Sequence, residues 1–393
     1  MPGYTSELNT FLGCSPKDGS SFQEDQQGAP MRSLLAVWVV FIALASGCSS
    51  EGGKEPVGLE KIDALFMRYA GDDVPGAAVM VIRHGEVIYQ KGFGWANLET
   101  REPVTPSTNF RLASVSKQFT AMAVMQLIER GLLSLDSKLS EALEGFPAIG
   151  ETITIRDLLR HTSGLVDYEG LVPDGQSEQV RDADVLKLVS ANPEAYFPAG
   201  ETYQYSNSGY ALLALIVESV SGQSFSDYLQ EHVFSPAEMY ASVAFEKERH
   251  KIQNRAYGYS IAENGAVSRT DQSVYSAVLG DGGVYSSLND LFLWDTALYQ
   301  EELLSPEWRA ELFRDQGNGA GEPIQYGFGW RLEDYAGHNV TYHTGSSKGF
   351  RNVLYRITDE RLTVVILTNR NSYAQLSPLE LARQTVDIVL SES

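Results

Sequence analysis

Cysteine is nearly absent from this chain of 393 residues, and its two copies, Cys14 and Cys48, both precede the first segment with a folded pattern. The body can therefore hold no disulfide framework, no thiolate metal site and no cysteine nucleophile. Positive charge is also scarce, since 30 Lys and Arg against 51 Asp and Glu leave a formal net charge of -21. A chain this acidic lacks the basic face that a phosphate backbone or an anionic membrane requires, which argues against nucleic-acid binding. The histidines His84, His161, His232, His250, His338 and His343 include no pair four apart, the spacing that sets two imidazoles on one helical face. No metal and no other cofactor is called for, and no internal repeat occurs. What remains, 43% hydrophobic and 21% charged residues, is a globular balance that suits one large domain or two small ones.

The long apolar run before the body is Leu34 to Leu44, preceded by Met31-Arg32 and followed by Ala45-Ser46-Gly47-Cys48. It is too short to span a bilayer as a mature helix. A basic start, an apolar stretch and small residues before a cysteine resemble a bacterial lipoprotein signal over residues 31–48. The resemblance implies cleavage before Cys48, lipidation of its sulfur, and a membrane-anchored protein of the cell envelope on the periplasmic face of the outer membrane. Residues 1–30 are polar and aperiodic and read as an extension ahead of the signal, with Met31 as the start. Residues 49–57, Ser-Ser-Glu-Gly-Gly-Lys-Glu-Pro-Val, read as a flexible tether.

The body, residues 58–393, opens with apolar residues at helical spacing, Leu59, Ile62, Leu65 and Phe66, before Gly71. Ala77 to Arg83 and Val87 to Gly92 are β-rich and separated by His84-Gly85-Glu86, a hairpin whose first strand is apolar throughout and so predicted to be covered on both faces. A long helix is expected over Ser116 to Leu133, ended by Gly131. Further helical patterns cover Ile155 to Arg160, Ala183 to Val189, Tyr210 to Val220, Ser226 to Val233 and Leu288 to Tyr299. Strand patterns return at Gly327 to Leu332, Val340 to His343, Phe350 to Ile357 and Leu362 to Leu367, before a last helix over Leu379 to Leu390. Strands at both ends with helices between predict an α+β fold: one sheet built from both chain ends and a mostly helical lobe at about 150–285, with a cleft at their seam.

Three short stretches carry chemistry. Ser114 and Lys117, in Arg111-Leu112-Ala113-Ser114-Val115-Ser116-Lys117, lie three apart at a helix start, where they share a face and meet the positive end of the helix dipole. A serine hydroxyl becomes a nucleophile only when a neighbour takes its proton. A lysine does so only where its surroundings disfavour its charge by about 4 kcal/mol. Tyr205-Ser206-Asn207 supplies a phenol that can relay protons and an amide that can hold Lys117 and a substrate carbonyl, although Asn207 would serve equally as an N-cap. His343-Thr344-Gly345 ends a strand, with a glycine that would let a ligand lie against it. Each pattern alone is weak.

Ser-X-X-Lys, Tyr-X-Asn and His-Thr-Gly in that order resemble the serine β-lactamase and penicillin-binding protein superfamily. Leu158-Leu159-Arg160-His161-Thr162-Ser163-Gly164-Leu165, Gly280-Asp281-Gly282-Gly283, Tyr326-Gly327-Phe328-Gly329-Trp330 and Gly349-Phe350 look like its class C-related branch, over about Leu59 to Leu390. That branch includes D,D-carboxypeptidases, D-amino-acid peptidases and β-lactamase-like esterases. The resemblance implies a β-lactamase/transpeptidase-like fold, with Ser114 as acylated nucleophile, Lys117 as its proton acceptor and Tyr205 as a base. It also implies an oxyanion hole from the backbone N–H groups of Ser114 and Ser346, and substrate contacts from Asn207, His343, Thr344 and Gly345. The expected partner is a small-molecule or peptide substrate: an ester, an amide beside a D-residue, or a β-lactam. Oligomeric state has no signal here.

His343 stands where β-lactamases of this group carry lysine, and a neutral imidazole draws a substrate carboxylate less strongly. A carboxypeptidase or esterase is therefore expected over an efficient β-lactamase. Arg351 could restore the charge, but it reads better as a solvated strand residue. His161-Thr162-Ser163-Gly164 reads as a helix end, with Gly164 as its cap. Gly345-Ser346-Ser347-Lys348-Gly349 has the spacing of a nucleophile elbow, but a strand follows it where that elbow needs a helix. The competing function is a penicillin-binding sensor with little or no turnover.

Overall fold

The computed structural model describes residues 57–371 and 376–391, and Cys48 with the signal and the preceding extension lies outside them. Helix α1, Val57–Phe66, takes up the last tether residue and continues as a 3-10 turn, Met67–Tyr69. Strands β1, Ala77–Arg83, and β2, Glu86–Phe93, form the expected hairpin. His84 and Gly85 both take positive φ, 54° and 86°, as a tight turn matched to strand twist requires. Four more strands come from the C-terminal part: β3, Arg331–Tyr335; β4, His338–Ser347; β5, Phe350–Ile357; and β6, Leu362–Thr368.

These six make one antiparallel sheet in the order β3-β4-β5-β6-β1-β2, closed between the chain ends where Ala77 pairs with Thr368 and Arg83 with Leu362. Successive side chains of a strand point to opposite faces. On β1, Ala77, Val79 and Val81 join Ile62 and Phe66 of α1 and Leu381 and Val386 of the last helix, Pro378–Ser391. Ala78, Met80 and Ile82 face the other way into the larger core, with Phe119 and Trp294. Both faces are thus covered, which explains why β1 has no polar alternation. On the second face Arg356 of β5 donates to Asp295 at 2.8 Å, and Thr363 of β6 donates to the same oxygen, pinning helix Leu288–Ala297 to the sheet.

The stretch predicted as a strand from Gly327 bends instead, and β3 begins only at Arg331. Gly329 takes φ 79° there, and a Cβ on it would sit 2.8 Å from the Lys117 carbonyl oxygen, so close approach to the helix below displaces regular pairing.

Candidate active site

Helix α2 spans Lys117–Glu129, starting one residue later than the pattern suggested, and Ser114 lies on the 3-10 turn Ala113–Ser116 that leads into it. In 3-10 geometry residues three apart eclipse, which stacks Lys117 over Ser114. Ala113, just before the serine, holds φ 50°, an uncommon conformation for a residue with a Cβ. Neighbours over-determine this bend. Leu112 N–H donates to Val284 O at 2.8 Å, Ser116 Oγ accepts from Val284 N–H at 3.1 Å, and Asn352 Nδ2 of β5 donates to Arg111 O at 2.8 Å and Leu112 O at 3.2 Å.

Lys117 is fully buried. Its Nζ lies 2.8 Å from Asn207 Oδ1, 2.8 Å from Asp281 O and 3.2 Å from Ser114 Oγ. The first two partners are pure acceptors and use two N–H bonds, so the third tetrahedral direction faces the serine oxygen. Asn207 is the first residue of helix α3, Asn207–Ser221, rather than its cap. Its side chain is free to bridge Lys117 and Glu169, to which Nδ2 donates at 3.1 Å, while its backbone N–H donates to Asp167 at 2.7 Å. The Lys117 ammonium position is 4.9 Å from the Tyr205 ring centroid, and the Tyr205 hydroxyl is buried with no hydrogen-bond partner among the described residues.

A cavity of about 500 Å³ opens over Ser114, with Asn207, Asp281, Glu169, Ser346 and Lys348 in its wall. Ser346 sits on the stretch of β4 beyond its pairing with β3, which ends at Tyr342. The rest of the third motif faces elsewhere. His343 is 1% exposed and absent from the cavity wall. Its Nδ1–H donates to Thr344 O at 2.7 Å, which leaves Nε2 to accept from the Tyr326 hydroxyl at 3.0 Å. Burial, then Arg331 and Lys117, hold its protonation well below the usual imidazole range, so it stays neutral. Thr344 and Gly345 do not line the cavity either. A Cβ on Gly345 would lie 2.0 Å from Leu112 O, so this glycine admits the Ser114 loop against the strand, where a ligand contact had been expected.

Several site residues went unnoticed in the sequence. Arg331 carries its guanidinium carbon 5.2 Å from the Tyr205 ring centroid. Lys348 stands in the cavity wall, whereas Arg351 turns to the carbonyls of Ser347 and Phe350. Asp281 accepts from the Tyr168 hydroxyl at 2.8 Å. Glu169 is exposed as a residue, yet its carboxyl in the cavity wall is pushed up to about 7 by desolvation first and then by Asp167 and Asp281. Asp281 and Lys348 lie in stretches already singled out, and Arg331 in a predicted strand, but none of the three was given a place in the site. Among the described residues no group of three or more His, Cys, Asp or Glu is placed to hold a metal ion, and no helix is long and apolar enough to cross a membrane.

The sheet flanked by helices, with a serine and a buried lysine at a helix start, defines a β-lactamase/transpeptidase-like fold. The chain belongs to the Beta-lactamase family, whose profile matches residues 62–385. It is 34% identical over 306 residues to penicillin-binding protein 4* of Bacillus subtilis (strain 168), covering 74% of this chain and 67% of that protein. It is 29% identical over 333 residues to a D-aminopeptidase of Cereibacter sphaeroides, covering 81% of this chain but only 61% of that one. The octameric penicillin-binding protein homologue from Pyrococcus abyssi superposes with a TM-score of 0.73 at 28% identity, over 85% of this chain and 77% of that chain. These relatives are serine hydrolases of the Beta-lactamase family.

Proposed function

We propose that this protein hydrolyses an ester, an amide beside a D-residue or a β-lactam through an acyl-Ser114 intermediate, acting as a carboxypeptidase or esterase rather than as an efficient β-lactamase. The observation that carries this reading is the Lys117 Nζ, held by two acceptors at 2.8 Å and turned to Ser114 Oγ at 3.2 Å. Asn207 and Asp281 take two of the Nζ directions, and the third is left facing Ser114 Oγ, where Lys117 takes up the serine proton. The serine oxygen then adds to the substrate carbonyl, whose oxyanion meets the backbone N–H groups of Ser114 and Ser346. Tyr205 passes a proton to the departing nitrogen or oxygen as its bond to the carbonyl carbon breaks. Water then gives a proton to Tyr205 and adds to the acyl carbon, and Lys117 returns its proton to Ser114 Oγ as the acyl–oxygen bond breaks and the acid leaves. The preference against β-lactams rests on His343, which brings no positive charge to the cavity. A D-residue substrate is supported by the likeness to a D-aminopeptidase.

The test is intact-mass spectrometry of the full chain after a fluorescent penicillin and, separately, p-nitrophenyl butyrate, with turnover followed in parallel and Ser114→Ala alongside. Ester turnover lost in the variant is the expected result. A penicillin adduct that persists on the wild type without any turnover would instead assign the penicillin-binding sensor, and labelling or turnover unchanged in Ser114→Ala would sink the mechanism.

A further inference from the structure

The His161-Thr162-Ser163-Gly164 stretch reads in sequence as the end of a helix, and helix Ile155–Leu159 does end there. His161 nonetheless holds φ 60° and is 1% exposed, an uncommon place for an imidazole. Its N–H donates to Leu158 O at 3.4 Å within the helix end, and its two acceptors go to one partner segment. The His161 carbonyl accepts from Gln204 N–H at 2.9 Å, and its Nδ1 accepts from Ser206 N–H at 3.1 Å. Ser206 is extended, φ -136° and ψ 125°. In an extended segment the N–H groups of residues i and i+2 point the same way, and a neighbouring strand ordinarily meets them with two carbonyls. Here one residue supplies both acceptors, and its ring nitrogen takes the place of the second carbonyl.

The side chains of the two residues that alternate with this ladder, Tyr205 and Asn207, both meet Lys117. The imidazole also packs on the Tyr205 ring, 4.3 Å between centroids and 35° between planes, and on Tyr210 at 5.0 Å. Tyr210 is anchored in turn by its hydroxyl, which donates to Leu159 O at 2.8 Å. Resting on the reading of Ser114 and Tyr205 given above, we propose that His161 is the positioning residue that fixes Tyr205 and Asn207 against Lys117, acting as a one-residue edge strand in its neutral form protonated at Nε2.

Acceptance at Nδ1 requires that nitrogen to be bare, which places the proton on Nε2. The groups facing the ring keep it neutral. Burial lowers its proton affinity most, and Lys117 of α2, His343 of β4 and Arg331 of β3 add to it, while the remaining neighbours are Tyr203, Tyr205, Tyr210 and Tyr326. A charged imidazole would lose the Ser206 bond and repel the lysine it serves to position. Nε2 is buried and has no hydrogen-bond partner among the described residues, and the ring meets Tyr326 edge-on at 4.7 Å.

His161→Asn and His161→Gly in the full chain separate this role from simple burial, because both tolerate the left-handed backbone and only asparagine keeps an acceptor near the Nδ1 position. With p-nitrophenyl butyrate, kcat of His161→Gly is expected to fall about 100-fold with KM nearly unchanged, while His161→Asn stays within about 10-fold of wild type. A glycine variant as active as wild type, or an asparagine variant as impaired as glycine, overturns the proposal. Should the glycine variant not fold, ¹⁵N-histidine spectra of the wild type decide. His161 is expected to show a bare Nδ1 and a protonated Nε2 from about pH 5 to about pH 9, and a protonated Nδ1 overturns the assignment. Turnover persisting in Ser114→Ala overturns the reading of the site itself, a distinct result.

Discussion

The first and third motifs use their residues in opposite ways. In the first, Ser114 lines the cavity and Lys117 closes beneath it, with each Nζ direction given to a named oxygen. In the third, His343 gives both nitrogens to the protein and Gly345 makes room for Leu112, while the cavity wall is built by the following Ser346, Ser347 and Lys348. A motif on a turn can offer its side chains to a ligand. A motif on a strand packed beneath that turn is consumed in holding it, and leaves recognition to whatever follows.

The largest effect tests the chemical side of this contrast. Ser114→Ala and Lys117→Ala are each expected to lower kcat/KM for p-nitrophenyl butyrate at least about 10⁴-fold, since groups that act as a unit fail together. A Lys117→Ala enzyme within tenfold of wild type would remove the lysine from the mechanism. His343→Lys probes the architectural side. An ammonium there faces Arg331 and Lys117 in a buried place and deprives the Tyr326 hydroxyl of its acceptor, so urea unfolding at pH 7 should show a loss of about 3 kcal/mol with no faster penicillin acylation. Unchanged stability with faster acylation would mean that position 343 faces the ligand after all.

Gly345→Ala should cost about 2 kcal/mol and slow the enzyme, because Leu112 and the adjoining Ser114 turn must shift together. Full activity with full stability would show that the turn has slack. The smallest effect concerns Glu169, pushed up to about 7. Below that pH its carboxyl is neutral, and above it a negative charge appears in the cleft, so acylation by an anionic penicillin should slow several-fold as pH rises through about 7 in the wild type and not in Glu169→Gln. Identical profiles for the two proteins would place the Glu169 charge outside the ligand's reach.

Much of the scaffold was legible because its signals are local. The apolar run of β1 declared a strand covered on both faces, His84-Gly85 marked a hairpin, and Phe350–Ile357 was bounded as found. The start of α2 was less so, because the 3-10 turn before Lys117 follows from the Asn352 and Val284 bonds to residues far along the chain. Helix Pro306–Leu312 escaped notice although Ser305 before Pro306 is a usable start signal. The individual roles of Arg331 and Glu169 could not be read, since their place beside Tyr205 and Asn207 is set by sheet order and by a loop fold.

What the sequence determined by itself was the order of the chemical residues and the periodicities that assign most segments to helix or strand, because both are properties of neighbours along the chain. What only the tertiary structure decided was the use of those residues. Lys117 faces Ser114 because Asn207 and Asp281, remote in sequence, occupy its other two directions; His343 turns inward because Tyr326 and Thr344 satisfy it there; and His161 becomes the second strand of a ladder because the chain brings Gln204 and Ser206 beside it. A buried polar atom must find its partner in space, and that partner is seldom its neighbour along the chain.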